Sequence, residues 1–231
     1  MGRPPWGKRL SMDVSEALRT RRSVRAFRPD PVPASVLARI FEAAQRAPSW
    51  CNIQPWRVVL TAPPTTDTLR AALLSAATSS PPAPDFPFPA EYPAPYDAHR
   101  KECGVALYRA MGVAKDDMEG RRAAWLRNYA CFDAPHAAIV SMDRRFAVYA
   151  AIDVGCWLQS VLLAMTEEGV SACPQAALAA YPRAVREVLE VPESEAILFG
   201  ISLGYEDPAA AANACRTTRS ALAENVRFVG F

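Results

Sequence analysis

Apolar residues recur along this 231-residue chain at the spacing of amphipathic helices. Asp13 followed by Glu16 forms a capping box, which predicts the start of a first helix. A second helix is predicted from Val36 to Ala44, where apolar residues share one face, and Pro48 is expected to end it. Further helical patterns lie at 100–108, 116–129, 147–165 and 183–189.

Shorter apolar runs, bounded by turn-forming residues, predict strands. Three such runs are Trp56 to Thr61, Ala137 to Ser141 and Ala196 to Gly204. The stretch from Gly169 to Pro174 is interpreted as a loop. Because helices outnumber strands and do not alternate with them regularly, the pattern predicts an α+β fold and argues against a doubly wound βαβ fold.

Residues 78–98 break this regular pattern, because prolines alternate there with Phe86, Phe88, Tyr92 and Tyr96. Proline removes a backbone donor and fixes φ, so neither a helix nor a central strand is expected. A flexible linker is one interpretation of the segment. The aromatic residues favour another, in which it is a semi-rigid excursion packed on the body or over a pocket.

Composition is that of an ordinary globular protein, with 51% hydrophobic and 22% charged residues. The 26 basic residues nearly balance the 24 acidic ones, which gives no case for nucleic acid as the main partner. The six cysteines form no CxxC pair. They are therefore interpreted as free thiols of a cytoplasmic protein, and no metal site is expected.

Two segments bear on targeting and on membrane insertion. Residues 1–13 contain no apolar core, so no secretory signal is expected there. The apolar run 147–165 approaches membrane-spanning length, but Asp153 interrupts it, and an unpaired Asp in mid-bilayer costs on the order of 3 kcal/mol. A buried helix is therefore favoured, and no membrane partner is expected.

Familiar catalytic motifs are missing from the sequence. It contains no GxGxxG, Walker, HExxH or GxSxG element. Its two histidines, His99 and His136, lie in no recognisable nucleophile context. Without a bound cofactor, the chain has little obvious catalytic equipment.

Clustered arginines offer anion-binding groups in two distant places. Arg21, Arg22, Ser23 and Arg25 place guanidinium groups and a hydroxyl within one short segment, and such groups suit bidentate contacts with a phosphate. Arg216 and Arg219 form a second cationic pair. Arginines near helix ends can also complement the helix dipole or lie in solvent, so both interpretations of the first cluster stay open.

The segment 46–56, with the sequence RAPSWCNIQPW, favours phosphate binding as the role of these arginines. It follows RRSVRAF at 21–27 and precedes CPQAAL at 173–178 and GISLGY at 200–205. These four motifs, in this order, resemble the nitroreductase family, in which an RRSxR-F element precedes APSxxNxQPW. The resemblance covers nearly the whole chain. It implies a nitroreductase-like α+β fold with a central mixed sheet flanked by helices, in an intertwined homodimer.

The resemblance also implies the domain organisation and the chemistry. Residues 1–231 would form a single FMN-binding domain, with 207–231 extending towards the partner. FMN would be the cofactor, NAD(P)H the electron donor, and a small electron-poor aromatic compound, such as a nitroaromatic, the substrate of a ping-pong reaction. No protein acid or base is obligatory, because the cofactor performs the redox chemistry. A dehalogenase, enone reductase or azoline oxidase on the same fold is the alternative, followed by a non-enzymatic module that binds an anionic ligand.

The family's cofactor-binding residues can be carried over one by one. Ser49 and Asn52 would reach the flavin from the partner subunit, and the backbone at 174–177 would lie along the flavin face. The full set of matching positions is Arg21, Arg22, Ser23, Arg25, Ser49, Asn52, Gln54, Asn128, Pro174, Gln175, Ala176, Arg216 and Arg219.

Large aromatic residues are the candidates for substrate binding. Trp50 replaces a residue that is commonly small in the family, and it could either stack on an aromatic substrate or fill the dimer interface. Phe86, Phe88 and Tyr92 are predicted to form a wall that sets substrate preference.

Overall fold

Four strands pair into one antiparallel sheet in the computed structural model of the chain, which describes residues 12–231. They are β1 (Arg57–Leu60), β2 (His136–Asp143), β3 (Ser171–Gln175) and β4 (Glu195–Gly204), in the spatial order β1-β2-β4-β3. The central strands β2 and β4 are mostly buried, as their apolar sequences predict. The expectation that no secretory signal is present concerns mainly residues 1–11, which lie outside the described residues.

Two expectations about the sheet need correction. Every pair of neighbouring strands is antiparallel, so these four strands do not form a mixed sheet. Among residues 12–231, parallel pairing is limited to an isolated bridge between Ser23 and Ala172. The predicted loop 169–174 contains most of β3, which pairs with β4 through positions such as Cys173 and Ser202. Ala, Cys and Pro carry little strand preference, so tertiary pairing decides the structure of this segment.

Helices cover the sheet. The described residues form α1 (Val14–Thr20), α2 (Ala34–Ala44), α3 (Thr65–Ser79), α4 (Tyr96–Ala110), α5 (Met118–Leu126), α6 (Val148–Glu167), α7 (Pro182–Leu189) and α8 (Leu222–Asn225). The N-cap of the predicted capping box is confirmed, since the Glu16 N–H donates to Asp13 Oδ1 at 2.8 Å. The helix α3 was not anticipated, because its buried side is limited to Thr66, Leu69 and Leu73 and its apolar pattern is weak.

The long apolar helix α6 lies in the core, as expected. By length and composition alone it could cross a membrane, but it packs against α1, α2 and β3. Its side chains Val154, Trp157 and Val161 are fully buried. At its N-terminal end, by contrast, Tyr149 and Ile152 are exposed, which leaves an apolar surface uncovered in the single chain.

The proline-rich segment between α3 and α4 is tied to the body. The Ala83 N–H donates to the Ala180 carbonyl at 2.9 Å. The Asp85 carboxylate accepts hydrogen bonds from Arg144 at 2.9 Å and from Arg186 at 2.8 Å. These contacts suit a semi-rigid excursion better than a flexible linker. Its irregular part spans 80–95, since residues 78–79 end α3 and residues 96–98 begin α4.

Candidate functional site

The N-terminal basic segment follows α1 as an extended stretch beside β3. Its Val24 is buried in the core, and the Val24 N–H donates to the Ala172 carbonyl at 3.0 Å. The neighbouring Ser23 makes the isolated bridge to the same residue. One anchored apolar residue in a basic sequence therefore fixes the path of Arg21, Arg22 and Arg25.

A buried asparagine joins this segment to the C-terminal basic pair. Asn213 accepts a 2.7 Å hydrogen bond from the Arg25 N–H through Oδ1 and donates through Nδ2 to the carbonyls of Ala26 and Asp207, both at 2.9 Å. The Arg216 guanidinium donates to the Asn213 carbonyl at 2.7 Å. Sequence reasoning missed Asn213, although a lone amide in an alanine-rich stretch is a signal that could have drawn attention to it.

The two arginine groups meet at one cavity of about 560 Å³, which is within the usual size range of cofactor sites. None of the described residues that line it is acidic, and the cavity is strongly cationic. The predicted site residues among its lining are Arg21, Arg22, Ser23, Arg25, Arg216 and Arg219. Arg19 also lines it.

One guanidinium at this cavity has a buried donor without a partner. Arg22 pairs with Glu206 through Nη2, but its Nε is buried and has no hydrogen-bond partner within the described part of the chain. A buried donor without an acceptor is costly, so the site favours a ligand that supplies anionic oxygen atoms. The residues present therefore fit a phosphate-bearing cofactor.

The strand β3 leads from this cavity to a second group of predicted residues. Pro174 and Gln175 end the strand, and Ala176 begins a short 3₁₀ turn. The Gln175 side chain is buried, and its Nε2 donates to the carbonyl of Asn128 at 3.0 Å and to its Oδ1 at 3.3 Å. The structure thus brings Asn128 to the end of β3, and the Gln175 side chain is committed to that contact.

A glycine of β4 allows the 3₁₀ turn to lie close to the sheet. A Cβ added to Gly200 would lie 2.5 Å from Leu178 Cδ1 and 2.9 Å from Leu178 Cβ. Such distances are well inside van der Waals contact, so a larger residue would displace the turn that Ala176 begins. This is the physical role of the first glycine in the GISLGY motif.

Ser49, Asn52 and Gln54 lie on a separate, exposed loop, and none of them lines the arginine cavity of the same chain. They contact one another instead: the Gln54 N–H donates to Ser49 Oγ at 3.1 Å, and Gln54 Nε2 donates to Asn52 Oδ1 at 3.2 Å. Cys51, Asn52 and Gln54 have φ values of 48°, 56° and 47°, a left-handed conformation that non-glycine residues rarely adopt.

Asp153 of α6 holds this strained loop in place. Its carboxylate is almost completely buried and accepts the Trp50 N–H at 3.1 and 3.2 Å. The Trp50 ring packs edge-on against Tyr149, with 4.7 Å between ring centroids. Together with Phe146 and Ile53, these residues line an apolar cleft of about 270 Å³. Trp50 therefore lies at the uncovered end of α6 and does not line the arginine cavity.

The aromatic residues of the excursion are also apart from the arginine cavity. Phe86, Phe88 and Tyr92 are each about two-fifths exposed, and none of them lines it. The Arg100 guanidinium lies over the Tyr92 ring, 5.3 Å from its centroid. Their contact with a substrate remains a prediction.

A further cavity of about 570 Å³ adjoins the arginine cavity and shares Arg216 and Arg219 with it. It lies between α4 and the C-terminal tail. Thr218 Oγ1 donates to Glu102 of α4 at 3.1 Å across this space. Arg216 and Arg219 therefore line both cavities.

Two other groups that could act chemically, His136 and Cys173, are engaged or buried. Both ring nitrogens of His136 are occupied, since Nε2 accepts the Val32 N–H at 2.9 Å and Nδ1 lies 3.0 Å from the Thr61 carbonyl. Burial raises the pKa of Cys173 to about 11, even though Arg25 and Ser23 act in the opposite direction. Within residues 12–231, no group of three or more His, Cys, Asp or Glu side chains could hold a metal ion.

The fold and the cationic cavity define an α+β protein with a site for an anionic ligand. Comparison with known proteins gives the class: the chain belongs to the nitroreductase family, whose model matches residues 18–205. It is 37% identical to the nitroreductase NfnB of Mycolicibacterium smegmatis over 95% of this chain and 94% of the relative. It is 36% identical to a 4-nitrobenzoate reductase of Nocardioides sp. over 92% of this chain and 88% of the relative.

A solved structure matches the whole fold. The crystal structure of the FMN-dependent nitroreductase NfnB from Mycobacterium smegmatis in complex with NADPH superimposes with a TM-score of 0.90 at 36% identity. The match covers 94% of this chain and 100% of that chain.

Proposed function

We propose that this protein is an FMN-dependent oxidoreductase that uses NAD(P)H to reduce nitroaromatic or related electron-poor aromatic compounds. The observation that carries the proposal is the convergence of Arg21, Arg22, Ser23 and Arg25 with Arg216 and Arg219 on one cavity. Relatives that act on nitroaromatic compounds, and a matching structure that holds NADPH, support the same conclusion.

In this proposal the arginines bind the FMN phosphate. Guanidinium groups can make paired, charge-assisted hydrogen bonds to its oxygens, and Arg22 Nε is a buried donor that needs such an acceptor. Arg216 is already oriented by its bond to the Asn213 carbonyl. Arg216 would therefore lose little side-chain conformational entropy when FMN binds, which favours affinity.

The end of β3 is proposed to orient the flavin ring. The backbone of Pro174, Gln175 and Ala176 would lie along one face, and Asn128 would present its amide to the ring edge. Bound FMN supplies the redox chemistry, accepting a hydride equivalent from the nicotinamide and passing electrons to the second substrate. The protein's part is to hold and polarise the cofactor, so no side chain is assigned as an acid or base.

A homodimer belongs to the proposal. Trp50, Tyr149, Ile152 and Phe146 expose between 41% and 61% of their surfaces at the N-terminal end of α6, and contiguous apolar surface of this kind marks an interface. The strained loop that carries Asn52 lies beside it. A second copy that covered this surface would receive the loop at its own cofactor site.

The tail 207–231 is proposed to extend towards the same partner. Leu222, Phe228, Val229 and Phe231 are all more than half exposed in the single chain. We also place the protein in the cytoplasm, because its six cysteines are free thiols and because its relatives of this family are bacterial enzymes.

The experiment that tests the proposed function uses the purified protein. Titration with FMN should give a stoichiometric complex with the visible flavin absorption band. Steady-state assays with NADH or NADPH and a panel of nitroarenes (4-nitrobenzoate among them), quinones and enones should then give turnover with nitroarenes.

Three results would contradict the proposal. A protein that binds no FMN would point to a non-enzymatic module for another anionic ligand. A protein that binds FMN but turns over none of these acceptors would point to a specialised flavoenzyme, such as a dehalogenase or an azoline oxidase, and turnover with enones alone would point to an enone reductase.

A further inference from the structure

We propose that Ser202 and Gln175 are positioning residues that orient the Asn128 amide at the flavin ring. The inference rests on the proposed function, because it names residues that act on the same cofactor site. Neither side chain would touch the cofactor; both would act through Asn128.

This inference is based on a buried chain of hydrogen bonds that runs from Ser202 on β4 to Asn128, where the flavin ring is proposed to lie. Ser202 is fully buried on β4, and its hydroxyl donates to Gln175 Oε1 at 2.5 Å. Because the hydroxyl donates to the amide oxygen, the Gln175 nitrogen must face the other way. It donates to both oxygens of Asn128, at 3.0 Å and 3.3 Å.

These bonds determine which way the Asn128 side chain faces. Its Oδ1 accepts from Gln175, and its Nδ2 donates to the Trp125 carbonyl at 3.0 Å. An amide nitrogen carries two hydrogens, so one Nδ2–H donor remains. Asn128 is only partly buried, which leaves that donor able to reach a ligand. The chain therefore presents a donor of fixed direction.

The position of this donor suits a flavin whose phosphate lies at the arginines. The basic segment is joined to β3 at Ala172, and Gln175 lies three residues further along the strand. At roughly 3.3 Å per residue, β3 spans about 10 Å between the two points. A ribityl chain would run along the strand, so the strand sets the distance between the phosphate site and the ring site.

Serine at 202 is required by this arrangement and not by packing alone. Alanine at this position would leave Gln175 Oε1 buried without a donor, and a buried unsatisfied acceptor is costly enough to drive the amide into another orientation. The Gln175 nitrogen would then no longer hold Asn128. Replacement of Ser202, although it is buried in the sheet, should therefore alter the properties of the bound flavin.

The test compares Ser202→Ala with Ser141→Ala, a matched control. Ser141 is also a buried serine of the sheet, and its hydroxyl donates to Glu195 Oε2 at 2.5 Å, on a part of the sheet that does not contact Asn128. Both variants remove one buried hydroxyl. For each, the dissociation constant of FMN, the visible spectrum and the midpoint potential of the bound flavin would be measured.

Ser202→Ala is expected to weaken FMN binding by roughly fivefold to thirtyfold, the effect of one misplaced donor. It should also change the flavin band and lower its midpoint potential, since a donor to the ring favours the reduced form. Ser141→Ala should leave all three unchanged. The double variant with Asn128→Ala should equal Asn128→Ala alone, because both residues act through one contact.

The inference would be overturned if Ser202→Ala matched Ser141→Ala in all three measurements, or if its effect added fully to that of Asn128→Ala. If Ser202→Ala does not fold, Gln175→Met breaks the same chain without removing the hydroxyl and is held to the same outcomes. Wild-type protein that fails to bind FMN would overturn the proposed function itself, which separates the two failures.

Discussion

The Arg25 N–H donates to Asn213 Oδ1 at 2.7 Å, across 188 positions of the chain. The backbone carbonyl of the same asparagine accepts a hydrogen bond from the Arg216 guanidinium. One buried amide therefore brings an N-terminal and a C-terminal arginine group to the same cavity. The proposed phosphate site therefore depends on this contact as well as on the arginines.

Asn213→Ala should separate the two arginine groups. It leaves the Arg25 N–H without its acceptor, and the carbonyls of Ala26 and Asp207 each lose one of two donors. The free energy of unfolding should therefore fall by about 1–3 kcal/mol. FMN binding should weaken by more than that loss of stability explains. Urea denaturation and FMN titration measure the two effects. The exposed Asn225→Ala is the control, and equal FMN affinity in both variants would contradict the role given to Asn213.

Arg21→Ala should weaken FMN binding with little effect on the fold. A charge-assisted hydrogen bond contributes about 1.5–3 kcal/mol, so the dissociation constant should rise by roughly one to two orders of magnitude. Fluorescence titration of FMN measures it, and circular dichroism follows the fold. Arg183→Ala is the control, since that side chain is 93% exposed on α7. Unchanged FMN affinity in Arg21→Ala would exclude a phosphate contact.

Gly200→Val should disturb the 3₁₀ turn at the end of β3. The added side chain would meet Leu178, and overpacking of this kind costs about 1–3 kcal/mol. Thermal unfolding measures the loss, and the flavin spectrum reports on the turn. Gly104→Ala is the control and should not lower stability, because no atom lies within 4 Å of an added Cβ and alanine favours a helix. A Gly200→Val protein as stable as wild type would show that the turn can move freely.

Acid should loosen the proline-rich excursion. Burial by itself would raise the pKa of Asp85, but hydrogen bonds from Arg186, the Ile197 N–H and Arg144 hold it below its ordinary value of 3.8. A depressed pKa stabilises the folded state above the unfolded value, and that stabilisation is lost as pH falls through the folded value. Stability should therefore decline below about pH 4.

The variant Asp85→Asn tests this dependence. It should lower stability at neutral pH and flatten the decline in acid, as measured by urea unfolding at a series of pH values. Asp30→Asn is the control, because the exposed pair of Asp30 with Arg28 contributes little. A decline in acid that is as steep in Asp85→Asn as in wild type would place its origin elsewhere.

Removal of residues 220–231 should reduce both assembly and flavin binding, while Arg219 is kept. The deleted segment contains exposed apolar residues such as Phe228 and Phe231, which a partner would cover. Gel filtration and the flavin absorption band measure the two losses. A truncated protein that is still dimeric and still yellow would remove the proposed role of the tail.

Local patterns in the sequence predicted much of this structure. The apolar face of α2 and the run of α6 follow from helix periodicity, and the N-cap Asp13 follows from its local motif; all three were confirmed. The arginines of the site were found because they lie in short motifs. Their meeting at one cavity could be expected only through the resemblance to a family.

What the sequence hid depends on contacts between distant residues. β3 has few strand-forming residues and forms because β4 lies beside it. Asn213 and Ser202 resemble ordinary loop and strand residues until their partners, Arg25 and Gln175, are known. The prediction of a mixed sheet was wrong for the same reason, since strand direction is decided by how the chain crosses between strands and not by the strands' own residues.

The separation of the Asn52 loop from the arginine cavity has a genetic consequence under the proposed assembly. Each site would then be built from the arginines of one subunit and the loop of the other. A mixed dimer of one Arg21→Ala subunit and one Asn52→Ala subunit would contain one site with both lesions and one with neither. Two inactive alleles could thus complement each other and restore activity at half of the sites.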